Sequence, residues 1–190
     1  LMVNFLDTCD KRLRNKLPGV VFSHVSSAGF SAKYLPEGFV FDVASSAVFS
    51  ESLEYSYLLG VMNSNLFLYC LRLLNPTINF QTGDVARAPI VAPRQAVLKQ
   101  WVLECLHLCV LSESMIEEAF DFVAPPRWDS GLADMIAART CLDELESRIN
   151  EEVYGLYGIS KADQAAIEAE LAGRPLPTDE DEIEAILSDD

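Results

Sequence analysis

The sequence predicts an α+β fold: a small curled β-sheet unit with a buried helix, followed by a long antiparallel helical hairpin. Closely spaced β-rich runs with Gly, Ser and Pro between them fill residues 19–49. Residues 58–74 are apolar at almost every position, which is typical of a buried helix. From residue 95 the apolar residues recur at helical spacing. We therefore expect an α+β unit at 1–93, the hairpin at 94–160, and a short helix with an acidic tail at 161–190.

The first region should hold four short strands before its helix and two after it. The helix is predicted over Leu58–Leu74 and should end at Asn75-Pro76, because the residue before a proline avoids the helical conformation. Beyond it, alternation of apolar and polar residues and a Gly83-Asp84 turn predict a short hairpin whose second strand, holding Pro89, lies at a sheet edge. The predicted strands are Gly19–Val25, Phe30–Leu35, Gly38–Val43, Ser45–Phe49, Thr77–Gln81 and Val85–Val91.

The second half of the sequence has a helical pattern. One amphipathic helix should run from about Gln95 to Leu111, and Met115–Phe122 could form a further turn of helix. A second long helix should begin near Gly131, with Asp129 or Ser130 as its N-cap, and end at Gly158. Its predicted seam comprises Met135, Ala138, Leu142, Leu145, Ile149 and Leu156. Ser160 and Asp163 should cap a short helix over Ala162–Leu171, ahead of a frayed acidic tail.

Charge is divided unevenly along the 190 residues, whose formal net charge is −15. Residues 1–100 hold 9 Lys+Arg against 7 Asp+Glu, whereas residues 101–190 hold 5 against 22. Because nucleic-acid binding needs cations that neutralise phosphates, the second half is a poor candidate to lie along a duplex. The densest basic cluster is Lys11, Arg12, Arg14 and Lys16, which could contact phosphates or be an ordinary solvated helix face.

The remaining composition indicates a reduced, cytoplasmic protein with no membrane span. The five cysteines are odd in number and three occupy apolar helix positions, as expected of buried thiols. No basic segment precedes an apolar run as in a signal peptide, and charged residues interrupt the most apolar helices. Because the sequence begins with Leu1 rather than methionine, we expect a piece of a longer protein.

Two short patterns resemble chemical sites but lack the residues that the chemistry needs. Cys105, His107 and Cys109 cannot all ligate one ion, since position i+2 of a helix points away from i and i+4. His24 could pair with Ser23 or Ser26, but no nucleophile elbow or third member accompanies them. We expect no catalytic residue and no metal site in this chain.

Two runs within residues 58–90 carry a family resemblance. They read L-L-G-V-M-N-S-N-L-F and, from residue 74, L-N-P-T-I-N-F-Q-T-G-D-V-A-R-A-P-I. This order resembles the specificity-domain segment of TaqI-like DNA adenine methyltransferases, and within them the PglX-type enzymes of BREX phage-defence systems. Phe22–Phe39, Ile116–Phe122 and Ile149–Ile159 agree with the same pattern, so the resemblance spans roughly residues 20–160.

The resemblance implies a function that composition does not. The parent would be a site-specific adenine-N6 DNA methyltransferase, of the type found in restriction-modification or BREX systems, that uses S-adenosylmethionine. Residues 1–93 would be part of its target-recognition region, which grips double-stranded DNA while the catalytic domain of the same chain flips the base. The sequence contains neither a glycine-rich cofactor loop nor an Asn/Asp-Pro-Pro-aromatic motif, so we expect no cofactor in this piece. The alternative is a protein-interaction module whose acidic hairpin docks the catalytic domain or another defence-system subunit.

Candidate DNA contacts come from the half that is not strongly acidic. Cations would contact phosphates, while hydroxyl and amide groups would contact sugars or base edges. Asn79 and Gln81 share the outer face of a predicted strand, where they could pair with adenine or instead cap the turn at Gly83-Asp84. The candidates are Lys11, Arg12, Arg14, Lys16, Ser26, Ser27, Lys33, Tyr34, Asn79, Gln81 and Arg87.

Overall fold

The computed structural model describes residues 17–26, 29–41, 43–91, 97–119 and 122–173. Within these ranges, three strands and six helices confirm the α+β class. The strands are β1 (Gly19–Ser23), β2 (Ala32–Leu35) and β3 (Ser45–Val48). The helices are α1 (Tyr55–Met62), α2 (Asn65–Leu74), α3 (Thr82–Arg87), α4 (Val97–Glu113), α5 (Gly131–Tyr157) and α6 (Lys161–Gly173).

The strands form one antiparallel sheet in the order β2-β1-β3. Val20 pairs with Tyr34 on one side and Val48 on the other, which places all three on the same face of the sheet. That face covers the main core, to which β1 contributes Val20 and Phe22. The opposite face covers a smaller cluster of Leu35, Ala47 and Phe49. Gly38–Val43 is not a strand at any of its described positions.

The predicted buried helix is two helices, so its continuity was wrong. Its burial holds for α1 but only in part for α2, where Leu66, Phe67 and Leu71 are buried while Leu73 and Leu74 are exposed. Helices α1 and α2 meet at a bend of 66° at Asn63-Ser64. The Ser64 hydroxyl donates to the Val61 carbonyl (2.7 Å) and accepts from the Phe67 amide (3.3 Å), so it caps α2 as a new helix. In the described parts of the chain no single helix could span a membrane; this bent pair alone meets the length and composition criteria.

The two strands predicted after the buried helix were also misplaced. Thr77–Gln81 contributes only an isolated bridge, between Asn79 and Val25, although Ile78 and Phe80 are buried as the alternation predicted. Val85–Val91 is wrong as a strand, because residues 82–87 form α3. Gly83-Asp84 lies within the first turn of that helix, where a carboxylate is favoured by the exposed amides.

Helices α4 and α5 form the expected hairpin. Cys105 lies near Glu146 and Cys109 near Arg139, so the two helices run antiparallel. Helix α5 ends at Gly158, which adopts the left-handed conformation (φ 69°) predicted for a C-terminal stop. Ser130 precedes the helix, but its hydroxyl donates to the Asp134 carboxylate and accepts no backbone amide. In the connection, the described residues of 115–122 form turns and no helix.

The predicted seam of α5 holds only in its second half. Leu145 and Ile149 are buried, whereas Met135 is 41% exposed. The second half packs into the main core, which also includes Val153 and Tyr154. Because one core holds residues from both sides of position 93, burial does not mark a boundary there, and the three-region division stays a prediction.

Helix α6 confirms the predicted short third helix and its cap. The Ser160 hydroxyl accepts from the Asp163 amide (3.2 Å) and donates to the Asp163 carboxylate (2.6 Å). Ile167 reaches the main core, and the Arg72 guanidinium of α2 donates to the Leu171 carbonyl (3.4 Å).

Candidate nucleic-acid interface

Residues 75–87, which we call the 75–87 segment, follow α2 and lie across the end of β1. The Ser26 amide donates to the Ile78 carbonyl (3.2 Å), and the Phe80 amide donates to the His24 carbonyl (2.6 Å). Ile78 and Phe80 are 3% and 4% exposed, so they anchor the segment in the fold. The side chain of Asn79, which lies between them, therefore points towards the outer surface.

Asn75 holds the segment in its turned shape. Its side-chain oxygen accepts from the amide (3.1 Å) and hydroxyl (2.8 Å) of Thr77. Its side-chain nitrogen donates to the Asn79 carbonyl (3.0 Å) and to Asp84 Oδ2 (2.8 Å). Such local side-chain bonds replace the ladder that a strand would have made, because they satisfy backbone groups within the loop.

Asp84 connects this network to α3. The Asn75 amide lowers the pKa of the Asp84 carboxyl, and hydrogen bonding and charge from Arg87 act in the same direction against the effect of burial. The Arg87 guanidinium lies 2.5 Å from Asp84 Oδ1, with its side chain 61% exposed. Arg87 is therefore paired within the segment, which reduces the positive charge that it offers to a phosphate.

A second polar contact fixes the segment to the sheet. His24 Nε2 lies 2.7 Å from Ser46 Oγ, which lies 2.8 Å from Thr82 Oγ1. The sequence suggested Ser23 or Ser26 as the partner of His24, whereas Ser46 is 22 residues away on β3. The sequence did contain a signal for Ser46 as the partner. Alternation along β3 places Ser46 on the core face, and a buried hydroxyl needs a hydrogen-bond partner.

The L-G-V-M-N-S-N run holds the fold together around this segment. Asn63 Oδ1 accepts from the Ala32 amide (2.9 Å) and Nδ2 donates to the Ala32 carbonyl (2.9 Å), which pairs the side chain with the outer edge of β2. The Asn65 amide donates to Asn150 Oδ1 of α5 (2.7 Å). Gly60 allows α4 to approach α1 closely. Asn63, Asn65 and Gly60 of the first family-like run thus have structural roles.

The predicted DNA contacts that the structure describes fall into two groups in space. Ser26, Asn79 and Gln81 come together at the 75–87 segment, to which Arg87 also belongs. Lys33 and Tyr34 are neighbours on β2 with opposite orientations: Lys33 is exposed, while Tyr34 packs on Tyr55 with ring centroids 4.7 Å apart. Lys11, Arg12, Arg14, Lys16 and Ser27 lie outside the described residues.

Gln81 is the most available amide of the segment. It is exposed and stands immediately before α3, where its backbone carbonyl accepts from the Asp84 and Val85 amides. Its side chain does not cap the helix. Its amide can therefore offer a donor and an acceptor together to a ligand at this surface.

Of the two cysteines on α4, Cys105 is half-buried and Cys109 is exposed, so the prediction of a buried thiol was wrong for Cys109. Burial, with nearby carboxylates adding to it, raises the pKa of Cys105 to about 11. Cys109 has a raised pKa for the same first reason. Across the part of the chain that the structure describes, no three His, Cys, Asp or Glu side chains are grouped so that they could hold a metal ion.

Two curated proteins are similar to part of this chain, while no family model matches it. Adenine-specific methyltransferase BrxX of Escherichia coli O9:H4 (strain HS) is 43% identical over 86 residues, which cover 42% of this chain and 7% of BrxX. Adenine-specific methyltransferase PglX of Lacticaseibacillus casei (strain Zhang) is 36% identical over 72 residues, which cover 37% of this chain and 6% of PglX. This part of the chain is therefore homologous to adenine-specific methyltransferases, and the chain spans less than a tenth of their length.

Proposed function

We propose that this chain, homologous in part to BrxX and PglX, is a target-recognition piece of a larger adenine-specific DNA methyltransferase in phage defence. The similarity to the two methyltransferases is the observation that carries the proposal. In such an enzyme one part performs the transfer on a flipped adenine, and another grips the flanking duplex and selects the site. This chain supplies grip and selection, and the parent uses S-adenosylmethionine.

Cofactor binding belongs to another part of the parent. The sequence contains no glycine-rich loop of the kind that holds S-adenosylmethionine, and no Asn/Asp-Pro-Pro-aromatic motif for a flipped adenine. Asn75-Pro76 resembles that motif superficially, but the Asn75 side chain is committed to Thr77, Asn79 and Asp84. Its amide is not free to hold a substrate base.

The 75–87 segment is the best-supported recognition surface. Its shape is fixed by hydrogen bonds on one side and by buried Ile78 and Phe80 on the other. A prearranged surface loses little conformational entropy when it binds. Gln81 is exposed on it, and a glutamine amide can make two hydrogen bonds to the major-groove edge of adenine.

Gln81 gives the sharpest test of this function. In the full-length enzyme, Gln81→Ala should change which sequences are methylated, because losing a two-bond base contact removes about 1–3 kcal/mol of discrimination. Nonspecific affinity should change much less, since phosphates dominate it. Sequencing that maps N6-methyladenine genome-wide would show the altered set of sites.

A matched control is available on α4. Gln100 is also an exposed glutamine, and it lies outside the 75–87 segment. Gln100→Ala should leave the methylated sites unchanged. An identical site pattern for Gln81→Ala and the wild-type enzyme, at equal protein levels, would refute readout by Gln81. If Gln100→Ala changed the set of methylated sites and Gln81→Ala did not, the hairpin rather than the 75–87 segment would recognise the DNA sequence.

Docking of a protein by the hairpin is a second candidate function. Exposed apolar side chains at the C-terminal end of α4 and the N-terminal end of α5 favour protein docking, since large apolar patches on a surface mark interaction sites. The two functions are compatible, because a recognition unit must be held against the catalytic domain.

A further inference from the structure

The first half of α5 lies outside the core. Between residues 132 and 144, all of which the structure describes, no side chain is buried. Gly131, at the start of this 27-residue helix, is buried, and the next buried residue is Leu145. Residues 132–144 therefore contact the rest of the chain mainly through α4.

An apolar stripe follows this projecting half. It consists of Trp128, Leu132, Met135 and Ile136, which are 104%, 74%, 41% and 58% exposed. From Leu132 the spacing of three and four residues places them on one helix face, and Trp128 precedes them by one turn. A helical face of this kind is normally covered, because exposing several large apolar side chains to water is unfavourable.

Most of the apolar stripe does not face α4. The half-buried α5 residues Ala138, Cys141 and Leu142 lie on a different side of the helix from Leu132 and Ile136, whereas Met135 lies seven residues before Leu142, at the edge of that side. The Arg139–Asp143 ion pair (3.0 Å) borders the stripe on its far end. Near the C-terminal end of α4, Val110 and Leu111 are also exposed.

Charge restricts what can cover the apolar stripe. Residues 101–190 hold 22 Asp+Glu against 5 Lys+Arg, so a polyanion such as DNA is repelled. A second copy carries the same net charge of −15, which opposes association through this half. A surface with an apolar centre and a basic rim complements it. The homologous methyltransferases extend far beyond the chain, which covers 7% and 6% of their lengths.

We propose that the apolar stripe docks onto another segment of the same methyltransferase polypeptide, at a surface that is apolar in its centre and rich in Lys and Arg at its rim. The proposal rests on the proposed function in one respect: it takes the chain to be part of a longer methyltransferase. It adds that the hairpin fixes the recognition unit to the remainder of that enzyme.

The test compares the isolated 190-residue chain with the full-length protein. Leu132→Gln with Ile136→Gln keeps helix propensity and removes the apolar face. Val40→Gln with Val43→Gln is the matched control, since these valines are 84% and 90% exposed and lie between β2 and β3. Hydrogen exchange over residues 128–141 and the Tm of each protein are the readouts.

We expect slower exchange over residues 128–141 in the full-length protein than in the isolated chain. The stripe variant should abolish that difference and lower the Tm of the full-length protein alone, while the control pair changes neither. Equal exchange in both proteins would overturn the proposal. So would a dimer of the isolated chain, by light scattering, that the stripe variant makes monomeric. Unchanged site choice in Gln81→Ala would refute DNA readout yet leave this result standing.

Discussion

Gly60 offers a quantitative test of the packing between α1 and α4. A Cβ added there would lie 2.3 Å from Leu98 Cδ2 and 2.8 Å from Val102 Cγ2, both on α4. Leu98 and Val102 are 2% and 3% exposed, so neither can move aside into solvent. Gly60→Ala should therefore force α1 and α4 apart or strain their side chains.

The expected magnitude follows from two opposing terms. Alanine in a helix interior is favoured over glycine by about 1 kcal/mol. Overpacking a well-filled core costs about 1–3 kcal/mol. The net change in the free energy of unfolding should range from about zero to a loss of about 2 kcal/mol. Gly155 in α5 is the matched control, because an added Cβ there meets nothing within 4 Å and only the favourable term remains.

Urea unfolding followed by tryptophan fluorescence, to which Trp101 and Trp128 both contribute, would measure both changes. With a denaturant slope of about 2 kcal/mol/M, Gly155→Ala should raise the midpoint by about 0.5 M. Gly60→Ala should lie about 0.5–1.5 M below Gly155→Ala. Equal midpoints for the two variants would refute the close approach of α4 to α1, and with it the structural role of the L-G-x-x-N-S pattern.

Three further predictions concern stability and DNA. The Asn75 amide hydrogen bond lowers the pKa of Asp84 in the folded state, so the carboxylate stabilises the fold fully above its unfolded pKa and this stabilisation is lost as pH falls through the folded pKa. Asp84→Asn should therefore flatten the acid side of a curve of stability against pH. An unaltered acid side would contradict this. Ile149→Asp should cost several kcal/mol and Leu142→Asp clearly less in thermal unfolding, because only Ile149 is fully in the core; the reverse order would misplace the α5 seam. In the full-length enzyme, Arg12→Ala with Arg14→Ala should reduce the slope of log affinity against log salt by about one to two, and an unchanged slope would exclude phosphate contacts there.

The sequence correctly predicted those helix ends that depend on the chemistry of a single residue. Gly158 ended α5 and Ser160 capped α6, as glycine and serine chemistry dictates. Burial of α1 followed from its apolar composition, but the exposed end of α2 at Leu73 and Leu74 and the break at Ser64 did not, because an apolar run carries no periodicity that marks a bend or an outer face. The Ser64 hydroxyl that caps α2 was the local signal for it.

The candidate site was harder to predict, because its contacts join distant positions. Ile78 and Phe80 were correctly placed in the core, yet the expected hairpin after them is a helix-containing loop. The alternation of apolar and polar residues predicted that Ile78 and Phe80 point inward. The hydrogen bonds of the Asn75 side chain, which replace those of a strand pair, form only once the turn has folded and could not be predicted from the alternation. The His24–Ser46 contact spans 22 residues and required the register of β1 with β3.

The structure of the full-length enzyme bound to its DNA site would test the central claim most directly. We expect the 75–87 segment to lie in a groove of the duplex, with the Gln81 amide within hydrogen-bonding distance of a base edge, and α4 and the first half of α5 to lie away from the DNA. A duplex that runs along the acidic hairpin, with the 75–87 segment remote from it, would contradict DNA recognition by this segment.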